Sequence, residues 1–301
     1  MTQRVIINEV GPRDGLQNQS NLLSPAERLR LIQALVYAGI DHLEVGSFVS
    51  PKAVPAMAGT DQVMARLPEP ERVYYSVLVP NQRGYDLARQ AGARNVALVL
   101  SASDSMSQKN IRMSKDEVFD VACDIIRQSK EHGIDVLAYI SVAFECPFEG
   151  KVDPQVVRQL TTRILEQGAK EVIIADTIGA ANPGQVRALL NNLVDAHGAK
   201  QLSCHFHDTR AMALANVYAA LESGIRKFDS AIGGLGGCPF APGAAGNLAT
   251  EDVVMMLEQM GFSTGIDLSR LLEVADLAAA LAECPGPRAK AWLEREVRVA
   301  T

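Results

Sequence analysis

Several things are missing from these 301 residues, and each absence removes a class of function. No stretch comes near the roughly 20 uninterrupted apolar residues that a membrane span requires. The chain begins almost at once with a strand pattern, Val5-Ile6-Ile7-Asn8-Glu9-Val10, and shows neither a basic–apolar signal peptide nor an Arg-rich transit segment. Its five cysteines (Cys123, Cys146, Cys204, Cys238 and Cys284) are odd in number and widely spaced, with no CxxC pair. That argues against a disulfide framework and against a structural zinc site, and points to a reducing compartment, the cytoplasm. No run of five like charges occurs and the net charge is −6, so nucleic acid is not an expected partner. A small acidic substrate would have to be met by individual basic residues. Absent too are a dinucleotide-binding glycine fingerprint and the Lys-Ser/Thr ending of a phosphate-binding loop.

What is present reads as a repeating unit. Short runs at Arg4–Val10, His42–Gly46, Tyr74–Val79, Asn95–Ser101, Val136–Val142, Glu171–Asp176, Leu202–His207 and Phe228–Gly233 are mostly continuous apolar stretches. Parallel strands covered on both faces have that pattern. Amphipathic stretches such as Pro25–Ala38, Lys115–His132, Asp153–Gln167 and Met212–Ser223 lie between them. Gly39, Gly92, Gly133, Gly168 and Gly224 each close a helix pattern just before a strand, where a left-handed residue is favoured. Ser24, Ser114, Asp153 and Asn182 stand at helix starts as N-caps. About eight βα units predict an α/β fold with a parallel sheet. A closed (β/α)8 TIM barrel is favoured, an open sheet of another strand order being the alternative. The barrel is expected over residues 1–265, with residues 266–301 a C-terminal helical extension packed on it. The extension holds helix patterns at Leu268–Ala282 and Arg288–Val297, joined by a linker over Glu283–Pro287.

In such barrels the reacting groups stand at the C-terminal ends of strands and in the loops that follow. Polar residues gather there in this chain. Strand one runs into Arg13-Asp14, strand two ends near Glu44, strand six in Asp176-Thr177 and strand seven in His205-Phe206-His207-Asp208. Strand eight leads through a glycine-rich loop to Asn247. His205 and His207, two apart on a strand, face the same side, so two imidazoles enter the barrel mouth together as half of a divalent metal site. Asp14 can add a carboxylate oxygen and Asn247 an amide oxygen, a mixed set suited to an octahedral ion. The plainer alternative is a pair of hydrogen-bonded histidines near the surface.

Arg13 beside Asp14 is placed to hold a carbonyl or enolate oxygen, against the alternative of a surface ion pair of little value. Glu44 would orient that guanidinium, or else be a structural buried acid. The glycine-rich loop, Gly233 to Gly246, would form a mobile lid. Cys238 within it is a candidate proton donor, although lone cysteines are usually inert. Asp208 reads as a helix N-cap rather than a third ligand. Cys123, Cys146 and Cys284 read as structural, and His42, His132 and His197 fall at the wrong end of the barrel for catalysis.

Together these residues resemble the hydroxymethylglutaryl-CoA lyase family, within the barrel superfamily of Claisen-type lyases and synthases. Val10–Asn18, Glu44–Lys52, Asp176–Gly179, His205–Thr209 and Gly233–Asp252 carry the resemblance, which spans residues 1 to about 270. The run Gly234-Leu235-Gly236-Gly237-Cys238-Pro239-Phe240 is specific to the lyase branch. The resemblance implies metal-dependent retro-Claisen cleavage of 3-hydroxy-3-methylglutaryl-CoA to acetyl-CoA and acetoacetate. The alternatives are the same chemistry on a different or bulkier 3-hydroxyacyl-CoA, or a Claisen-type acyl-CoA synthase.

The resemblance further implies Mg²⁺ or Mn²⁺ held by Asp14, His205, His207 and Asn247, with Asp14 or His205 as base. Arg13 would meet the enolate, Glu44 would support Arg13 and Cys238 would transfer a proton. Gln17, Asn110, Tyr139 and Thr177 would line the substrate pocket with Arg13. The expected partners are an acyl-CoA and a second copy of the chain in a homodimer, with no nucleic acid and no membrane. The setting implied is leucine degradation and ketone-body formation. Some positions depart from the family pattern. Arg210-Ala211 stand where Tyr-Gly is usual, Ala175 and Glu145 where glycine is expected, and Met113 in place of a small residue. These leave the metal set untouched and the acyl substituent open.

Overall fold

The computed structural model of the chain describes residues 3–237 and 246–282. Eight parallel strands close into a barrel: β1 (Ile6–Glu9), β2 (His42–Ser47), β3 (Tyr74–Leu78), β4 (Asn95–Ser101), β5 (Asp135–Ser141), β6 (Glu171–Asp176), β7 (Leu202–Phe206) and β8 (Lys227–Ser230). They follow one another in chain order around the ring, and β8 pairs with β1, Ile6 opposite Lys227 and Glu9 opposite Ser230. Helices α1 (Pro25–Tyr37), α2 (Thr60–Met64), α3 (Gln82–Gln90), α4 (Asp104–Ile111), α5 (Lys115–His132), α6 (Pro154–Gln167), α7 (Pro183–His197) and α8 (Ala213–Glu222) fill the crossovers. After β8 come α9 (Thr250–Gln259) and α10 (Leu268–Ala282). The fold is the expected TIM barrel.

Local chemistry explains the element starts. Ser24, Ser114 and Asn182 each accept from the backbone N–H three residues on, and Glu27, Glu117 and Gln185 bond back, three complete capping boxes. On the outer barrel face the strands bury Val, Leu and Ile against the helices in one continuous core. Inside the ring Ala97, Leu137, Tyr139, Ile173 and Ala175 make a separate small apolar layer, and polar side chains stand above it. In α10, Leu271, Val274, Ala275 and Ala278 are buried where the helix packs on α1 and α9. The expected linker Glu283–Pro287 and helix Arg288–Val297 lie outside the described residues. Among the described residues no helix is long and apolar enough to cross a membrane.

Four strands are shorter than the sequence pattern suggests, β3 and β7 by a single residue each and β1 and β8 by more. Val5 gives its N–H to Ser263, outside the barrel, so β1 begins only at Ile6. β8 stops at Ser230 because the next donors go elsewhere: Ile232 N–H to Glu9 Oε1 at 2.9 Å and Gly233 N–H to Glu251 at 2.9 Å. A small ribbon of Glu145–Cys146 and Gly150–Lys151 after β5 was not legible in the pattern.

Candidate active site

Beyond β1 the chain makes a wide turn, Gly11–Gly15, in which Gly15 N–H reaches back five residues to the Val10 carbonyl at 3.1 Å. Turns of this width recur at functional sites, and this one presents Arg13 and Asp14. His205 is the fourth residue of β7, and His207 follows just past its end. Asn247 arrives by a separate route. The segment returning from the glycine-rich loop pairs antiparallel with His207, with Asp208 N–H on Gly246 O at 3.0 Å and Leu248 N–H on Phe206 O at 3.1 Å.

One ligand atom each from Asp14, His205 and His207 lies within 4.8 Å of the others. Asn247 donates to Asp14 Oδ2 at 2.8 Å and to Leu235 O at 3.0 Å, while its own Oδ1 is buried without a donor. His207 Nδ1 is likewise buried and unpartnered. Two imidazoles, a carboxylate and an orphaned amide oxygen form a nitrogen–oxygen donor set that fits a hard or borderline divalent cation. The orphaned oxygen is the more telling part, because buried acceptors are rarely left unsatisfied.

Charge around the cluster is crowded. Arg13 donates through Nε to Glu44 and through Nη1 to Asp14 Oδ1 at 2.5 Å, and its guanidinium carbon lies 5.8 Å from the Tyr139 ring centre. Burial pushes the Asp14 carboxyl up, but Arg13 and the His207 ring, whose Nε2 lies 3.8 Å from Asp14 Oδ2, outweigh it and hold the group well below the usual carboxylate range. For Glu44 burial wins and lifts it to about 7, Arg13 pulling the other way. Burial would lower the His205 ring's pKa, yet Asp229 and Asp14 overcome it and raise it.

Three further acids shape the site and were given no role in the sequence reading. Glu9 accepts from Gly11 N–H at 2.8 Å, Ile232 N–H at 2.9 Å and Thr250 Oγ1 at 2.5 Å. It thereby ties the Arg13–Asp14 turn to the base of the glycine-rich loop, and burial pushes it to about 7 despite those donors. Glu251 holds Gly233 N–H and is pushed by burial to about 8. Asp229 lies under His205. Alternation along β8 puts Asp229 inside the barrel, but its neighbours depend on register, which one sequence does not show.

The other expected residues are scattered more widely. Thr177 Oγ1 accepts from the Val142 N–H at 2.8 Å, where Val142 adopts a left-handed φ of 50°, rare for a β-branched side chain. The Tyr139 hydroxyl is engaged with Asp229 at 2.7 Å, so its ring rather than its oxygen is left to face other groups. Gln17 is half-buried on the loop after β1, and Asn110 is exposed near the end of α4. Asp208 accepts from the N–H of Ala213, the first residue of α8, consistent with service to a helix start. Cys238 lies outside the described residues. At the described ends of its loop, glycine serves close approach. A Cβ on Gly246 would sit 2.2 Å from Gly234 O, and one on Gly236 2.5 Å from Asn247 Nδ2. Arg210, one of the departures, donates to the carbonyls of Gly179, Ala180 and Ala181 and so clamps the loop after β6. Ala211 carries φ 55°, a conformation better suited to the glycine usual at that place.

The HMGL-like family model matches residues 4–278, nearly the whole barrel with α10. The chain belongs to the HMGL-like family. A relative from Pseudomonas mevalonii, a hydroxymethylglutaryl-CoA lyase, is 46% identical over 90% of each chain. A 3-hydroxy-3-isohexenylglutaryl-CoA/hydroxymethylglutaryl-CoA lyase from Pseudomonas aeruginosa is 40% identical over 96% of this HMGL-like chain and 97% of its own. Among solved structures, an HMG-CoA lyase from Acinetobacter baumannii in complex with coenzyme A and 3-methylmalate superposes with a TM-score of 0.93. It is 38% identical, with 99% and 97% of the two chains covered.

Proposed function

We propose that this chain is a metal-dependent carbon–carbon lyase that cleaves 3-hydroxy-3-methylglutaryl-CoA to acetyl-CoA and acetoacetate. The observation that carries the reading is the meeting of Asp14, His205, His207 and the orphaned Asn247 oxygen beside a buried arginine. Those four residues would hold Mg²⁺ or Mn²⁺. A divalent cation held there would supply Lewis acidity toward substrate oxygens.

The chain's own groups do the rest. Of the two candidate bases, Asp14 takes the proton from the C3 hydroxyl, because a carboxylate ligand keeps a further oxygen lone pair, whereas His205 would give one ring nitrogen to the cation and holds the other against Asp229. The C2–C3 bond then breaks, C3 becomes the ketone of acetoacetate, and the electron pair passes to the thioester as an enolate. Arg13, fixed by Glu44, faces that developing negative oxygen with preorganised donors. Cys238 returns a proton to C2, giving acetyl-CoA. Gln17, Asn110, Tyr139 and Thr177 line the pocket in this reading. A homodimer in the cytoplasm, serving leucine breakdown and ketone-body formation, completes it, acetoacetate being itself a ketone body.

The same chemistry on a bulkier acyl group is the second reading. It is supported by the Pseudomonas aeruginosa relative, whose name carries both an isohexenyl and a methyl substrate, and by the departures at Ala175 and Arg210 near the barrel mouth. Coupled detection of acetyl-CoA from a panel of 3-hydroxy-3-alkylglutaryl thioesters decides between them. Fastest turnover of the methyl compound is expected. A preference for a long-chain compound would establish the second reading, and no acetyl-CoA from any of them would remove both.

A further inference from the structure

Beneath the His205 ring lies a carboxylate that the proposed reaction leaves unused. Strands β7, β8 and β1 are neighbours, and their register sets His205 opposite Asp229 and Asp229 opposite Asn8. All three side chains are buried and form one row across the sheet. Asn8 Nδ2 donates to Asp229 Oδ1 at 2.8 Å, and His205 Nδ1 lies 3.1 Å from Asp229 Oδ2. From β5, Tyr139 reaches across the barrel and donates its hydroxyl to the same Oδ2 at 2.7 Å. Its ring also meets the His205 ring edge-on, with centres 5.9 Å apart at 87°.

A neutral imidazole has one N–H, and a carboxylate can only accept. With Asp229 opposite Nδ1, the proton belongs on Nδ1 and the lone pair on Nε2. Asn8 and Tyr139 anchor both oxygens of Asp229, so the carboxylate cannot swing away and release the ring.

We propose that Asp229 is a positioning residue that fixes His205 in the Nδ1–H tautomer, so that Nε2 is presented to the cation shared with Asp14, His207 and Asn247. The inference rests on the metal-binding reading of the site. Carboxylates behind a ligating histidine orient it and raise its basicity, and their loss weakens metal binding about 10–100-fold.

The test uses histidine-¹⁵N-labelled enzyme loaded with Mg²⁺, and Mn²⁺ titrations followed by the electron paramagnetic resonance of the free ion. In the parent, His205 should show a protonated Nδ1 and an unprotonated Nε2. Asp229→Ala, checked for folding by its thermal transition, should weaken Mn²⁺ binding about 10–100-fold and release the tautomer. Asp229→Asn should fall between, because its amide oxygen can still accept from Nδ1–H. A purely structural role would lower the thermal transition and leave the affinity of the folded protein unchanged. A parent spectrum with the proton on Nε2 overturns the inference, even if Asp229→Ala does not fold. Equal Mn²⁺ affinity in parent and folded variant overturns it as well, with the metal reading intact. A parent that binds no Mn²⁺ removes the metal reading and this inference together.

Discussion

The two ends of the barrel handle charge in opposite ways. At the N-terminal end Lys227 pairs with Glu171 at 2.7 Å, Ser203 donates to the same carboxylate at 2.6 Å, and Lys170 pairs with Asp135. The Tyr74 ring lies 5.1 Å from the Lys170 ammonium and 5.5 Å from that of Lys227, with His42 stacked on it. Cations and anions there match one to one, although the Tyr74 hydroxyl is buried without a partner. At the mouth a single guanidinium faces both Glu44 and Asp14, and Glu44 Oε1, His207 Nδ1 and Asn247 Oδ1 have no partner. Each unsatisfied buried group costs about 1–3 kcal/mol. Matched charge at one end serves the fold, and the unsatisfied donors and acceptors at the other fit the proposed cation site.

Substitutions at the two ends should therefore separate activity from stability. Arg13→Gln at the mouth should lower kcat about a thousandfold while KM stays within a fewfold, because the lost donors act on the enolate. Steady-state kinetics check this, and near-full turnover would erase the distinction drawn for the mouth. Lys227→Met at the opposite end should do the reverse. It strands the Glu171 carboxylate and should cost about 3 kcal/mol in urea unfolding, with kcat per folded molecule nearly unchanged. Parent-like stability would show that the lower pair is ornamental.

A smaller effect concerns pH. The unfolded chain loses the protons of Glu9 and Glu251 near 4.5, whereas the fold keeps them to about 7 and about 8. These groups' contribution is full below 4.5 and is lost as pH rises through those folded values, at most about 1.4 kcal/mol per pH unit for each. Urea midpoints from pH 5 to 9 should fall and then level off, and Glu251→Gln should flatten the upper part of that fall. An unchanged profile in the variant would place the pH sensitivity elsewhere. Smallest of all, Ala211→Gly should stabilise the fold by about 0.5 kcal/mol by relieving the left-handed φ of 55°. A lower thermal transition would mean that Ala211 is not strained.

Much of this was legible in the sequence, for identifiable reasons. Strand ends carry chemistry in a barrel, so Asp14, His205, His207, Asn247, Arg13 and Glu44 stood out by type and place, and the structure brings them together. Glu9, Asp229 and Glu251 did not, because their roles are set by cross-strand register and by backbone donors from distant loops. The ends of β1 and β8 were overrun for a related reason. Apolar patterning continues past the point where Ser263 and the two glutamates capture the backbone N–H groups.

The central claim is that the mouth is built around one cation. Crystals soaked in Mn²⁺ and measured for anomalous scattering test it directly. The account predicts a single strong peak per chain enclosed by Asp14, His205, His207 and Asn247, with Arg13 alongside. A peak elsewhere, or an empty cluster in protein that still cleaves substrate, would contradict it.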